Sequence, residues 1–307
     1  MCAGCSRVVQ QDSVLKVNFT DKTTFLHMMA SESEFKVLSW NIHGLKTRLN
    51  EKEALLAIFG QYDVVLLQET HIGEKDIRKI TEAFGGEYDI ETLKDKEFKE
   101  QLKRERKTMY LTFFSSRSRG VAILFNKPHT RLEAICEGGD YAWVHAEIDN
   151  QKYTFVSVYY HSDDDHLICD LMVKIFSSFL RSGSEAFKCR PVFGGDFNTT
   201  LDDQDVKKAH KPRRKRLTRF MSILQLSDVW KEKHEAESKR YTYQCSNHMS
   251  RLDYFFMLKQ DLKYVRNCKI CHDIFLSDHF PLSLSLKMSE TDVEELNPKL
   301  SSLKVED

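Results

Sequence analysis

Eight polar residues sit where apolar runs stop. Asn41 closes FKVLSWNI (35–42), Glu69 closes VVLLQET (64–70), Tyr159 lies at the end of YTFVSVYY (153–160), and Asp196 and Asn198 close PVFGGDFN (191–198). Asp253 lies at the start of RLDYFFM (251–257), and Asp278 and His279 precede PLSLSL (281–286). A carboxylate at the end of a buried strand is costly unless charge or hydrogen bonds compensate it. A hard divalent cation does so, and Mg2+ accepts carboxylate and amide oxygens while keeping several waters. Converging strand ends would place Asn41, Glu69, Asp196, Asn198 and Asp278 in one acidic pocket, with His279 beside them. Such a pocket suits attack on a phosphate ester, because a cation and an imidazolium neutralise the charge that builds during the step. Taken singly, an Asp or Asn after a strand is a common turn former. Their number, with Gly194–Gly195 standing directly before Asp196, favours chemistry over turns.

The elements that must position these residues are short β-prone runs, to which GVAILF (120–125) and AWVHAEI (142–148) belong. Pro281–Leu286 alternates apolar and polar residues, which points to a sheet with one buried face. Helical spacing marks Glu51–Phe59, Leu167–Leu180 with Leu171, Ile175 and Phe179, and Leu217–Leu226. Strands mixed with helices imply α/β layers around one core. Residues 1–34 read as a loosely ordered lead-in, 35–288 as the domain body, and 289–307 as an acidic, disordered tail.

The 307-residue chain carries no net formal charge, so attraction to phosphate must be local. Lys94–Lys107 mixes signs and reads as a solvated helix or surface insertion. Lys207–Leu217 holds seven Lys or Arg in eleven positions and no acid. Its Lys207, Lys208, Lys211, Arg213, Arg214, Lys215 and Arg216 are candidate phosphate contacts. Asp202, Asp203 and Asp205, just before the run, read as anchors for that loop. The eight cysteines do not form a disulfide scaffold. Cys2 with Cys5, and Cys268 with Cys271, have metal-like spacing, yet unbridged thiols fit better. No apolar run reaches membrane-spanning length and no secretory leader is evident, so an intracellular, nuclear protein without membrane contact is expected.

Five motifs, WNIHGL (40–45), QET (68–70), GGDFN (194–198), RLDY (251–254) and SDHFPL (277–282), together resemble the endonuclease/exonuclease/phosphatase family in order and separation. The resemblance covers about 35–288 and implies a four-layered α/β/β/α sandwich, two packed and mainly antiparallel sheets flanked by helices. It implies Mg2+, or alternatively Mn2+, as cofactor. It makes Glu69 the principal metal ligand with Asn41 beside it and Asp278 facing the metal. Asp196 then activates or orients the attacking water, and Asn198 positions it. Tyr159 contacts the phosphate or helps the leaving oxygen. His279, also placed near the metal, binds phosphate and is held by Asp253. A one-residue slip would exchange Tyr159 for Tyr160, since alternate strand residues face opposite ways.

Within that family the segment 241–256 resembles LINE-type retrotransposon endonucleases, which makes Thr242 a candidate DNA contact or, equally, a hydroxyl within a strand. Abasic-site enzymes of the family usually carry Trp where this chain has Ser250, and Asp or Asn where it has His43. The Tyr160–His161 pair departs from the retrotransposon pattern. A full retroelement adds a reverse transcriptase, so the chain reads as a fragment, a domesticated copy or a stand-alone nuclease. The expectation is a metal-dependent DNA endonuclease that nicks one strand. The alternatives are an exonuclease III-like or abasic-site repair enzyme, a phosphatase acting on lipid or inositol phosphates, and a degenerate DNA-binding module.

Overall fold

Val64–Gln68 is apolar up to its last residue, and every one of its side chains is buried. Val64 and Leu66 enter one hydrophobic cluster, Val65 and Leu67 another. Such a strand belongs to a sheet covered on both faces. The structure, a computed structural model, describes residues 34–287 except 94–96, 99–100, 115–116, 138, 206–210, 235–238 and, save for Val173 and Ser177, 162–188. Glu34–Met288 forms one compact unit. Apart from Glu34, the expectations for residues 1–34 and 289–307 lie outside the described residues.

In chain order the first strands are β1 (Glu34–Asn41), β2 (Val64–Gln68), β3 (Asp89–Leu93), β4 (Glu97–Phe98), β5 (Leu102–Arg104) and β6 (Thr108–Thr112). Next come β7 (Val121–Phe125), β8 (His129–Glu137), β9 (Tyr141–Ile148), β10 (Gln151–Tyr159) and β11 (Arg190–Asp196). The last are β12 (Leu226–Asp228), β13 (Tyr243–Cys245), β14 (His248–Ser250), β15 (Asp253–Leu258), β16 (Val265–Ile270) and β17 (Leu282–Lys287). Helices α1 (Lys52–Phe59), α2 (Ile77–Phe84), α3 (Lys211–Leu224) and α4 (Val229–Lys233) accompany them.

One sheet has the order β16-β17-β1-β2-β7-β6-β3, and the other β12-β15-β11-β10-β9-β8-β4 with β5 also on β8. The pairs β1–β2, β3–β6 and β10–β11 are parallel, and the remaining ladders run antiparallel. Between the sheets lies a core that includes Val37, Leu66, Ile123, Phe155, Phe255 and Leu284. Leu55 and Phe59 of α1, with Ile80 and Phe84 of α2, cover the outer face of the first sheet. Leu217 and Phe220 of α3 cover that of the second. This is the expected four-layered α/β/β/α sandwich.

The sheets approach closely at β11. A Cβ on Gly194 would stand 2.6 Å from Leu66 Cδ1, 2.9 Å from Phe255 Cε1 and 3.0 Å from Ser39 Oγ. Gln68 also links the sheets, donating from Nε2 to Ser157 Oγ at 3.0 Å, and Ser157 Oγ donates to Leu67 O at 3.0 Å. Buried polar groups that satisfy one another in this way fix register.

Three expectations change. Lys94–Lys107 is not a helix: its described parts include β4 and β5 on the edge of the second sheet. Charged residues suit an edge strand because they discourage pairing with another chain. The helix expected at Leu217–Leu226 begins at Lys211 and stops at Leu224, with Pro212 tolerated in its first turn. Ser283 and Ser285 of β17, expected on a solvated face, are only 6% and 8% exposed. Of Leu167–Leu180 only Val173 and Ser177 are described, both helical. Cys268 and Cys271 are free and buried, while Cys2 and Cys5 lie outside the described residues. No helix among the described residues is long and apolar enough to cross a membrane.

Candidate active site

Strand register assembles half of the site. Tyr159 of β10 pairs with Asp196 of β11, and Asp196 pairs with Asp253 of β15. Three candidate side chains thus stand in a row across adjacent strands. Alternate residues of a strand share a face. Tyr159 accordingly lies with Phe155 in the inter-sheet cluster, while Tyr160 enters the outer cluster under α3. Tyr159, not Tyr160, therefore faces the site.

The other sheet supplies Asn41 at the end of β1 and Glu69 just past β2. The Asn41 amide donates from Nδ2 to Glu69 Oε1 and to Asp196 Oδ2, at 2.9 Å each, and so ties the two sheets together. His43 N–H donates to Asn41 Oδ1 at 3.1 Å, which fixes the amide's orientation. With its oxygen engaged and its nitrogen toward the carboxylates, Asn41 aligns Glu69 and Asp196.

Tight backbone turns present these groups. His43, Glu69, His71 and Asn198 have φ of 48°, 51°, 53° and 43°, a left-handed conformation that few non-glycine residues adopt. Neighbouring loops hold them there, as Gly44 N–H donates to Glu69 O at 2.7 Å and Thr70 N–H to Gly120 O at 2.9 Å. Gly120 has φ of 88°, and a Cβ there would stand 2.5 Å from Thr70 Oγ1.

The loop before β17 brings in Asp278 and His279. Ser277 Oγ donates to Asn41 O at 2.8 Å, and Trp40 Nε1 donates to His279 O at 3.0 Å. His279 Nδ1 lies 2.8 Å from Asp253 Oδ2, and its Nε2 lies 3.8 Å from Asp196 Oδ2. Thr242 is fully buried. Its hydroxyl oxygen accepts from Leu252 N at 3.0 Å and Asp253 N at 3.1 Å, which leaves it no surface for DNA. The expected DNA contact is therefore corrected: Thr242 braces the start of β15.

Burial disfavours a charged His279, but Asp253 and Asp196 outweigh it and push its pKa up to about 10. In the metal-free site the imidazole is then cationic and pairs with both carboxylates. Ligand atoms of Asp196, Asp253 and His279 lie within 4.8 Å of one another, close enough to share a cation. Burial, then Asp253, raises Asp196 to about 7, with His279 opposing. Burial pushes Glu69 up as well, yet hydrogen bonds from His71, Asn41 and Tyr159 bring it down to about 2. Tyr159 is raised by burial and by the charges of Glu69 and Asp196, so its phenol stays a neutral donor. The site thus holds an anion at Glu69, a base near neutrality at Asp196, a cation at His279 and a neutral donor at Tyr159.

The residues fit a divalent cation by their chemistry. Glu69 and Asp278 have side chains 17% and 33% exposed and offer hard carboxylate oxygens. Asn198 instead donates its backbone N–H to Asp196 Oδ1 at 2.8 Å and its Nδ2 to Tyr160 O at 3.1 Å.

The basic run is divided. Lys207 and Lys208 lie outside the described residues, as does the side chain of Lys211. Arg214 donates to Thr200 O at 2.8 Å and pairs with Asp203 at 2.6 Å, so it braces the chain leaving Asn198. Arg213 lies 5.9 Å from the Tyr160 ring centroid. Arg216 is partly buried and Lys215 is exposed. Asp202 pairs with Lys231 at 3.3 Å, and Asp205 pairs with Arg240 at 2.9 Å and Arg251 at 3.2 Å, as expected of anchors. Sequence reasoning missed His71, whose Nε2 lies 3.0 Å from Glu69 Oε2, and Arg119, which pairs with Asp140 at 3.0 Å. The two-residue spacing of Glu69 and His71 was the available signal for the first; nothing local marked the second.

The AP endonuclease LMAP from Leishmania major is similar at 16% identity and TM-score 0.65, covering 89% of this chain and 93% of that one. The Xenopus laevis APE2 catalytic domain is similar at 19% identity and TM-score 0.61, covering 84% and 94%. The 3′ phosphatase NExo from Neisseria, solved with a product DNA hairpin, is similar at 15% identity and TM-score 0.58, covering 83% and 100%. No curated protein matches the sequence significantly. Residues 38–279 match the Endonuclease/Exonuclease/phosphatase family, and the chain belongs to it.

Proposed function

We propose that this chain is a divalent-metal-dependent phosphodiester hydrolase that nicks one strand of DNA, in the manner of a retrotransposon endonuclease, with residues 35–288 as its hydrolase domain. The observation that carries the reading is the Asn41 amide joined to both Glu69 and Asp196, with cationic His279 3.8 Å from Asp196. Glu69, with Asp278, would hold Mg2+ or Mn2+, which when bound supplies Lewis acidity to the phosphate and acidifies water. Asp196 accepts the proton of the attacking water, and Asn198 keeps that carboxylate oriented through its backbone N–H. His279 faces the phosphate as a cation and stabilises the charge that develops, while Asp253 holds the imidazole in place. The Tyr159 hydroxyl is a neutral donor for the phosphate or the leaving oxygen. Lys215, on the helix that Arg214 ties to the segment leaving the site, adds affinity for the backbone without reading sequence.

Abasic-site cleavage is the second reading, favoured by the naming of a similar structure as an AP endonuclease. All three tryptophans of the chain are buried and Ser250 holds the position before Arg251, so the aromatic wall of an abasic-site pocket is missing there. Incubation with supercoiled, abasic and single-stranded DNA, with Mg2+, Mn2+ or EDTA, separates the readings. Metal-dependent nicking of undamaged plasmid supports the first; incision confined to abasic duplex supports the second.

A further inference from the structure

Phe114 is 49% exposed, although Phe113 beside it packs against the outer cluster of the first sheet. It stands near the start of the loop between β6 and β7, and Arg119 stands near its end. Phe114 N–H donates to Ile72 O at 3.4 Å and His71 N–H donates to Arg119 O at 2.9 Å, so the loop lies along the turn that presents Glu69. Arg119 Nη1 donates to Asp140 Oδ2 at 3.0 Å, and the Asp140 carbonyl accepts from Tyr159 N–H at 2.7 Å. Arg119 thus bridges the Glu69 turn and the end of β10. Its guanidinium carbon lies 4.5 Å from the Phe114 ring centroid. Gly139 admits this pairing, because a Cβ there would stand 2.5 Å from Phe114 Cβ. Among the described residues Asp140 is the guanidinium's one hydrogen-bond partner, so its remaining N–H donors are open, and the side chain is 21% exposed. Its charge also reaches the Tyr159 hydroxyl, opposing the rise in pKa that burial, Glu69 and Asp196 impose.

We propose that Phe114 and Arg119 form a nucleotide shelf beside Tyr159, where an unpaired base of the bound DNA strand stacks on the ring and the guanidinium holds its phosphate. The proposal rests on the DNA-hydrolase reading above. An aromatic ring accepts any base, because every base offers a π face. A guanidinium binds phosphate through paired N–H donors and also lies flat on an aromatic ring. A single exposed apolar residue is ordinary on a protein surface. What sets Phe114 apart is the open guanidinium stacked on it and the bonds that fix both beside the site.

The test is binding by the full chain in EDTA, which keeps turnover out of the measurement. The probes are a short oligothymidylate and a baseless deoxyribose-phosphate strand of equal length. The wild type is expected to bind the base-bearing strand about 5–100-fold tighter. Phe114→Ala is expected to bind both strands alike. Phe114→Trp is expected to keep the preference, and its added emission to fall with oligothymidylate alone. Arg119→Ala is expected to weaken binding of both strands and to reduce the slope of log affinity against log salt by about 0.7. Because quenching is read on Phe114→Trp, a Phe114→Ala protein that fails to fold does not protect the idea. Preference kept in folded Phe114→Ala, or emission unchanged in saturated Phe114→Trp, overturns the shelf. A wild type that nicks plasmid yet binds the two strands alike also overturns it, and leaves the hydrolase reading standing. A wild type that neither nicks plasmid nor binds either strand overturns both.

Discussion

His279 Nδ1 lies 2.8 Å from Asp253 Oδ2, and this contact sets the charge of the imidazole that faces Asp196. Replacing Asp253 by Asn keeps the shape and removes the charge. The His279 resonance in metal-free protein is expected to titrate about 1–3 pH units lower in the variant, measured by nuclear magnetic resonance. The folded-state pKa, about 10, exceeds that of an unfolded histidine. His279 therefore contributes stability that is complete below about pH 6.5 and is lost as pH rises through about 10. Urea midpoints should fall with pH across that window in the wild type and fall less in Asp253→Asn. Equal slopes would show that Asp253 does not hold the proton.

Thr242 supports the same aspartate from the backbone side. Thr242→Val leaves Leu252 N–H and Asp253 N–H without an acceptor, at a cost of about 1–3 kcal/mol for each buried donor. Thr242→Ser should restore stability, and neither change should alter DNA affinity measured at fixed salt. Loss of affinity in a stable Thr242→Val protein would return Thr242 to the DNA interface.

Gly195 is the stricter of the two glycines before Asp196. An added Cβ would lie 2.0 Å from Val158 O, a backbone atom that cannot rotate away. Gly195→Ala should destabilise by more than the roughly 1–3 kcal/mol usual for overpacking, and by more than Gly194→Ala. Urea unfolding of both variants checks the order.

Much of the site was legible because polar residues interrupt apolar runs at strand ends. Asp196, Asp253 and Tyr159 lie side by side as the motif order implied, and strand periodicity separates Tyr159 from Tyr160. The orientations of Asn41 and His279 were not legible, because they depend on which atom of each side chain faces which neighbour. The edge-to-face contact of the His43 and His71 rings was missed because left-handed turns, rather than strand alternation, bring them together. The strands β4 and β5 were hidden by their charge, since an edge strand needs no apolar alternation to pair on one side.

Lys215 and Arg214 are neighbours in α3 with different tasks. Lys215→Ala should weaken DNA binding and reduce the slope of log affinity against log salt by about 1. Arg214→Ala removes the ties to Thr200 and Asp203 and should lower the urea midpoint instead. Filter binding across a salt series distinguishes them, and a salt slope unchanged in Lys215→Ala removes α3 from the interface.

Conversion of supercoiled plasmid to nicked circles tests the proposed reacting centre directly. The wild type should nick with Mg2+ or Mn2+ and stop in EDTA, while Glu69→Gln and His279→Gln should each fall on the order of 10²–10³-fold yet still bind DNA. Nicking that persists at the wild-type rate in both variants, or in EDTA, would mean that Glu69, Asp196 and His279 do not form that centre.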